Sequence, residues 1–238
     1  MGKQIISQTP LETCERFFLM THRWLGFFQT SFKAKWETLN QTSYEVYIQP
    51  ILRKYEKNFH PLTFSEQKHL KAIPSIFGKY QGTTLAILPQ HLDFHTFHIK
   101  TNKEEITGVF DWENFQRACF PCIDILNFVT NYTDNLLAFL ATVQKDPEGL
   151  KNFAQESGYK QLMILMLRGY LESLKMDPKL LELFIPVYVI HLANEAANPD
   201  KKAYASPGRF RNLVIASPKQ PEELLFAQTA NQIKHMIK

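Results

Sequence analysis

Apolar and polar positions alternate with a helical period over the first sixty residues. Apolar side chains spaced three or four apart predict a helix over 10–39, with Thr9 as its N-terminal cap and Pro10 in its first turn. The same spacing predicts a second helix over 43–58, bent or broken at Pro50, because proline has no N–H to donate inside a helix.

The helical pattern continues on both sides of a central interruption. A third helix is predicted over 65–80, with Ser65 as its cap and its end near Pro74 or Gly78. From Ile123 onward the helical spacing returns. The predicted segments there are helices over 123–144, 147–156, 158–175, 178–196 and 221–237, with a loop at 203–212.

The interruption at 83–110 reads as a small β-island. The run TTLAILPQ at 83–90 is apolar and β-branched, which predicts a strand. HIK at 98–100 and EITGVF at 105–110 flank a turn at 101–103 and predict a hairpin. The fold class expected is therefore mainly α with a small β-island (α+β), in a single domain over 1–238.

Composition narrows the function classes. The 238 residues carry a net charge of +4 without a strongly basic block, which argues against nucleic-acid binding. The most apolar segment, 180–193, is too short to span a membrane and contains Glu182, and the N-terminus has no apolar signal region, so a cytoplasmic location is expected. Nine glycines are few for this length and argue against a glycine-rich nucleotide loop.

The residues best suited to chemistry surround the predicted hairpin. Asp93 precedes its first strand, and Asp111 follows its second strand. Because a hairpin folds its strands back on each other, both carboxylates are expected to face one small volume. One carboxylate can orient a hydroxyl while the other holds a divalent cation on a phosphate, which is the division of labour in phosphoryl transfer.

These segments resemble the aminoglycoside phosphotransferase and choline-kinase-like superfamily of small-molecule kinases. The family pattern HGDxHxxN, hairpin, [IV]DWE and PxxDL is matched here by HLDFHTFH at 91–98, VFDWE at 109–113 and PCIDIL at 121–126. HRWLGFFQ at 22–29 is similar to the family's WLxxLH helix, and the resemblance covers about residues 10–130. It implies the C-terminal lobe of a protein-kinase-like phosphotransferase, with its motifs at 88–126 and a helical remainder at 127–238.

The resemblance assigns a role to each residue of the motifs. Asp93 would be the catalytic base that orients the acceptor hydroxyl, and Asp111 would bind Mg²⁺ on the phosphates of ATP. His98 stands where the family has a metal-binding Asn, and Leu92 stands where it has Gly. Support of the catalytic loop is implied for His91, His95 and Asp124. Residues that bind the nucleotide are not identified.

The resemblance also sets the alternatives. The family's N-terminal β lobe has no counterpart before Pro10, so the chain is expected to be a C-terminal lobe alone: a fragment, half of a split protein, or a repurposed lobe. The leading hypothesis is an ATP-dependent kinase of a small hydroxylated molecule, or the C-lobe part of one. The alternative is a pseudokinase-like lobe that binds a ligand or partner, either a chain bearing the N-lobe or a second copy. A third hypothesis is a metal-dependent hydrolase using Asp93 and the three histidines at 91, 95 and 98.

Overall fold

A computed structural model describes residues 10–32, 35–103, 105–139 and 157–198 of the protein. These residues are mainly helical and carry two small β-sheets, which confirms the expected α+β class at that level. They divide into two compact units: one holds the residues up to Lys35 together with Leu88–Pro178, and the other holds Trp36–Ile87 together with the residues from 179 onward. The prediction of a single domain stays a prediction.

The helices and strands follow one another as an α-rich chain with its strands grouped near the middle. The helices are α1 Pro10–Ser31, α2 Gln41–Ser43, α3 Gln49–Asn58, α4 Phe64–Lys79, α5 Ile123–Phe139, α6 Ser157–Ser173 and α7 Leu181–Ala196. The strands are β1 Lys35–Thr38, β2 Thr84–Gln90, β3 Ile99–Asn102, β4 Glu105–Val109 and β5 Gln116–Cys119. One sheet has the order β1-β2-β5, and the other is the β3-β4 hairpin.

An aromatic core fixes the helices of the first unit. Phe17 and Phe18 of α1 pack against Phe128 and Tyr132 of α5, with ring centroids 5.2–5.9 Å apart. Burying each such ring removes a large apolar area from water, worth about 1.5–3 kcal/mol per side chain. This packing forms a core of the first unit, against which the β-island lies.

The β-island of the first unit consists of two antiparallel pairs. The end of β2 pairs with β5 through Leu88↔Cys119 and Gln90↔Gln116. The hairpin pairs Ile99↔Val109 at its open end and Asn102↔Glu105 at its turn. The ends of both strand pairs lie close to the start of α5. The motif residues lie in the same region.

Three helices form most of the second unit. Helix α7 is apolar on almost every face, and its residues from Leu181 to Ile190 are buried except the exposed Glu182, so it is the central helix among the described residues of that unit. Its buried Asn194 donates to the backbone carbonyl of Ile51 at 2.8 Å, and the exposed Lys54 forms an ion pair with Glu195 at 3.2 Å. The polar contacts therefore fix the position of α3 along α7.

The helix bounds differ from the sequence prediction in two places. The first helix ends at Ser31 rather than 39, and residues 35–38 form a strand. The cap of α4 is Thr63 rather than Ser65, because Thr63 and Glu66 form a reciprocal capping box in which each side chain accepts from the other's backbone N–H. Pro74 does not end α4; it lies on the exposed side of a helix that continues to Lys79.

Other predicted elements agree with the structure. The strand at 83–90 and the hairpin are confirmed. At the predicted bend or break near Pro50 the helix changes type, since a π-helical turn at Tyr44–Ile48 precedes α3, whose first turn contains the proline. The predicted helices 147–156 and 221–237, the loop 203–212 and the end of 123–144 lie outside the described residues. No helix among the described segments has both the length and the apolar character that a membrane crossing requires.

Candidate functional site

The register of the hairpin places His98 beside Asp111. The pairing Ile99↔Val109 is extended by a hydrogen bond from the Phe110 N–H to the His98 carbonyl at 2.9 Å. Asp111 is the next residue, and its left-handed backbone (φ 65°, ψ 58°) turns the chain out of the strand. The Asp111 carboxylate therefore belongs to the residue directly after Phe110, which is hydrogen-bonded to His98.

Two carboxylates converge on this imidazole. Asp111 Oδ2 lies 3.3 Å from His98 Nε2, and Asp93 Oδ2 lies 3.8 Å from His98 Nδ1. The Asp93 and Asp111 side chains are 44% and 46% exposed, whereas that of His98 is 18% exposed. The structure thus brings the predicted base and the predicted metal ligands together at a half-open surface of the first unit.

Hydrogen bonding fixes the tautomer of His98. Its Nδ1 lies 2.9 Å from the backbone carbonyl of Asp93. A carbonyl oxygen can only accept, so Nδ1 carries a hydrogen and donates it. In the neutral ring, Nε2 then holds a lone pair directed at the Asp111 carboxylate.

His91 is fixed as a neutral ring within the loop. Its Nε2 donates to the Phe110 carbonyl at 2.7 Å, and its Nδ1 accepts from the Asp93 N–H at 3.3 Å. Burial lowers the pKa of His91, and the Trp112 ring packs on it with centroids 4.6 Å apart. Both ring nitrogens of His91 make hydrogen bonds, so this residue links the loop to the end of β4.

His95 faces the outer side of Asp93. Its Nδ1 accepts from the Phe97 N–H at 3.3 Å, and its Nε2 lies 3.6 Å from Asp93 Oδ1. Its ring lies against His98, with centroids 3.8 Å apart. Burial and the neighbouring His98 lower the pKa of His95. In a neutral His95 the hydrogen is therefore on Nε2, the nitrogen that lies near Asp93.

Asp124 holds the turn that carries Asp93. This fully buried carboxylate accepts from the backbone N–H groups of His91 at 2.7 Å and Leu92 at 2.8 Å. The Asp124 N–H in turn donates to the side-chain oxygen of Gln90 at 2.9 Å. Burial raises the pKa of Asp124 to about 7, and the two backbone donors oppose that rise.

A stripe of asparagines on α5, unnoticed in the sequence, anchors the rest of the loop. Asn127 Nδ2 donates to the Leu92 carbonyl at 3.1 Å. Asn131 Oδ1 accepts from both the N–H and the hydroxyl of Thr96, and Asn135 Nδ2 donates to the same hydroxyl at 2.7 Å. The spacing of three and four residues from Asp124 was a readable signal, since it puts all these side chains on one helix face.

A second set of polar residues lies beneath the loop and was also missed. Tyr170 donates to Gln29 Oε1, and Gln29 Nε2 donates to the Pro89 carbonyl at 3.2 Å. Gln29 and Tyr170 are fully buried, and burial raises the pKa of Tyr170. Gln29 thus ties α1 and α6 to the end of β2.

The turn before Asp93 is conformationally strained. Leu92 adopts φ 66°, the left-handed region in which a side chain costs about 1–2 kcal/mol. Glycine avoids this cost, whereas alanine keeps it and also loses the half-buried leucine side chain. We expect Leu92→Gly to be more stable than Leu92→Ala by about 1 kcal/mol in urea unfolding. Equal stabilities, or a more stable alanine variant, would show that the turn is not strained.

Comparison with known proteins adds no relative. No protein-family model, no curated protein and no solved structure matches this chain. The arrangement itself defines what the site can do. It offers one carboxylate beside a neutral histidine, one carboxylate 3.3 Å from an imidazole nitrogen, and a loop held by buried hydrogen bonds, which together suit binding of a cation and of a hydroxylated ligand.

Proposed function

We propose that the first unit carries a phosphotransferase site of the aminoglycoside phosphotransferase and choline-kinase-like type, on the C-terminal lobe of a protein-kinase-like fold. The reaction is transfer of a phosphoryl group from ATP to a small hydroxylated molecule, by this chain or by an enzyme of which it is the C-lobe part. The observation that supports it is the convergence of two half-exposed carboxylates, Asp93 and Asp111, on the two sides of His98.

Asp93 is suited to orient the acceptor. Its carboxylate is exposed enough to meet a hydroxyl, and the His95 Nε2 hydrogen directs it from one side. The Asp124 and Asn127 contacts to His91 and Leu92 fix the backbone that carries it. A carboxylate held in this way can align an acceptor hydroxyl and accept its proton as the phosphoryl group is transferred.

Asp111 and His98 are suited to hold a divalent cation. Their facing atoms are an anionic oxygen and an imidazole nitrogen, both of which are common ligands of divalent ions. Such an ion neutralises charge on the transferred phosphate when it is bound. The residues' own contribution is to place that position on the far side of His98 from Asp93.

Charge and exposed aromatics indicate the class of acceptor. The Asp93 and Asp111 carboxylates make the surface around them acidic, and the Phe97 and Phe110 side chains beside them are 75% and 52% exposed. Aromatic faces and carboxylates together favour a cationic or polyhydroxylated molecule. The same features favour the second candidate, a pseudokinase-like lobe that binds such a ligand without transferring phosphate.

A transfer assay tests the proposal. The purified chain is incubated with γ-labelled ATP, Mg²⁺ or Mn²⁺, and a panel of hydroxylated amines and polyols that includes choline and kanamycin. We expect a labelled acceptor, and we expect Asp111→Asn to lower the rate about 100-fold because the cation loses an anionic ligand. Glu105→Gln, which removes an exposed carboxylate from the same hairpin, should leave the rate unchanged.

The outcomes separate the two candidates. Acceptor binding in calorimetry without transfer would support the binding lobe and contradict the kinase. Absence of metal–ATP binding, with or without a partner chain that bears the N-lobe, would exclude ATP-dependent transfer by this site.

A further inference from the structure

We infer that the site selects a transition-metal dication such as Mn²⁺ or Zn²⁺ over Mg²⁺, with His98 Nε2 and Asp111 Oδ2 as its ligands. The inference rests on the proposed function only in that it names the cation of the same site. Its support comes from geometry, hydrogen bonding and the chemistry of the donor atoms.

The separation of the two atoms suits a shared ion. Ligands bound to one ion at about 2.0–2.2 Å, in adjacent tetrahedral or octahedral positions, lie about 2.8–3.6 Å apart. His98 Nε2 and Asp111 Oδ2 are 3.3 Å apart. The Phe110 N–H to His98 carbonyl bond brings the two backbone segments together, and the Nδ1 hydrogen bond to the Asp93 carbonyl holds the His98 ring.

The hydrogen bond at the other nitrogen has the form expected of a ligand. Histidines that bind metals usually donate their second ring N–H to a carboxylate or a backbone carbonyl, which fixes the ring and its tautomer. His98 does this through Nδ1 to the Asp93 carbonyl at 2.9 Å. The lone pair on Nε2 then faces a carboxylate oxygen, an arrangement that a cation between them stabilises.

The other histidines of the cluster are engaged differently. Both ring nitrogens of His91 are used within the loop. The Nδ1 of His95 accepts a backbone N–H, which leaves its Nε2 hydrogen directed at Asp93. His98 is therefore the imidazole best placed to bind first. One donor atom each of Asp93, His95 and His98 also lies within 4.8 Å of the others, and this second group shares only His98 with the proposed pair.

Donor chemistry decides between ions. Mg²⁺ is a hard ion that prefers oxygen ligands, whereas imidazole nitrogen suits Zn²⁺ and other transition metals; Mn²⁺ favours oxygen ligands but accepts an imidazole more readily than Mg²⁺ does. Donor sets that combine nitrogen and oxygen bind such metals more tightly than Mg²⁺ in general, so tighter binding alone does not identify the ligand. The diagnostic quantity is the change in the Mn²⁺/Mg²⁺ affinity ratio when the nitrogen ligand is replaced by an oxygen ligand.

Metal titration without nucleotide or acceptor measures that ratio. Mn²⁺ binding is followed by electron paramagnetic resonance, and Mg²⁺ affinity is obtained by competition. For the wild-type chain we expect Mn²⁺ to bind at least 10-fold more tightly than Mg²⁺. His98→Asn should reduce the ratio at least 10-fold, and Asp111→Asn should weaken both ions together. His60→Gln, which removes an exposed histidine from the second unit, should leave both affinities unchanged.

Each outcome has a single meaning. A ratio unaltered in His98→Asn, and also in His98→Gln, overturns the inference, as does metal binding that only His60→Gln abolishes. Absence of Mn²⁺ binding overturns it too, since His98 and Asp111 would then form a simple imidazolium–carboxylate ion pair. Circular dichroism confirms that each variant is folded. A failed transfer assay leaves these titrations intact, and failed titrations leave open transfer supported by Mg²⁺.

Discussion

Asp124→Asn is expected to lower the free energy of unfolding by about 1–3 kcal/mol, because the buried carboxylate accepts two backbone hydrogen bonds at once. An asparagine has one carbonyl oxygen, so its NH₂ group must face the N–H of either His91 or Leu92. That contact places two hydrogen-bond donors, the side-chain NH₂ group and the backbone N–H, against each other. One of them is then left without an acceptor in the interior. The measurement is urea unfolding at pH 8, above the raised pKa of about 7.

The matched control for Asp124 is an exposed acid of the same unit. Glu172→Gln removes a carboxylate from the surface of α6, and surface changes of this kind stay within about 0.5 kcal/mol. If Asp124→Asn is no more costly than Glu172→Gln, the carboxylate does not hold the turn. Because the turn carries Asp93, activity should fall together with stability in the Asp124 variant.

Asp93→Asn is expected to have the opposite profile. The change keeps the shape of a side chain that is 44% exposed, so the free energy of unfolding should shift by less than about 0.5 kcal/mol. Loss of the group that accepts the hydroxyl proton should lower kcat about 10²- to 10⁴-fold. The proposed transfer reaction, measured at saturating acceptor, reports kcat directly.

His95→Asn separates orientation from chemistry at Asp93. His95 acts on the carboxylate only through its Nε2 hydrogen, at 3.6 Å. Its replacement should therefore have a smaller effect on kcat than Asp93→Asn. Unchanged turnover in Asp93→Asn would contradict the proposed role of Asp93, whatever the result for His95→Asn.

Local sequence signals predicted those parts of the fold that depend on neighbours in the chain. The hairpin followed from two short runs around a turn, and the change of helix type before Pro50 agrees with the missing N–H of that residue. The short strands at 35–38 and 116–119 were missed because runs of four residues with mixed polar and apolar side chains are too short to show a period. Their strand character comes from pairing in the β2 sheet, which is distant along the chain. Thr63 was missed as a cap although Glu66 stands three residues later.

The candidate site divides in the same way. Motif spacing placed Asp93 and Asp111 on one hairpin, and the hairpin register accounts for His98 lying at both carboxylates. Leu92 gave no sign of a left-handed turn, since that conformation is read in a sequence from glycine. The contacts of Gln29 with Tyr170 and Pro89 join segments far apart in the chain, and no local pattern encodes them.

The asparagine stripe of α5 gives the loop two sides with different freedom to vary. Thr96 is held by Asn131 and Asn135, whereas the next residue, Phe97, projects into solvent. Substitutions at Phe97 or Phe110 can change the surface beside the site while the Asp93 and Asp111 carboxylates keep their positions. Under the proposed function, ligand preference can therefore diverge by changes at these exposed aromatic positions while Asp93 and Asp111 are retained.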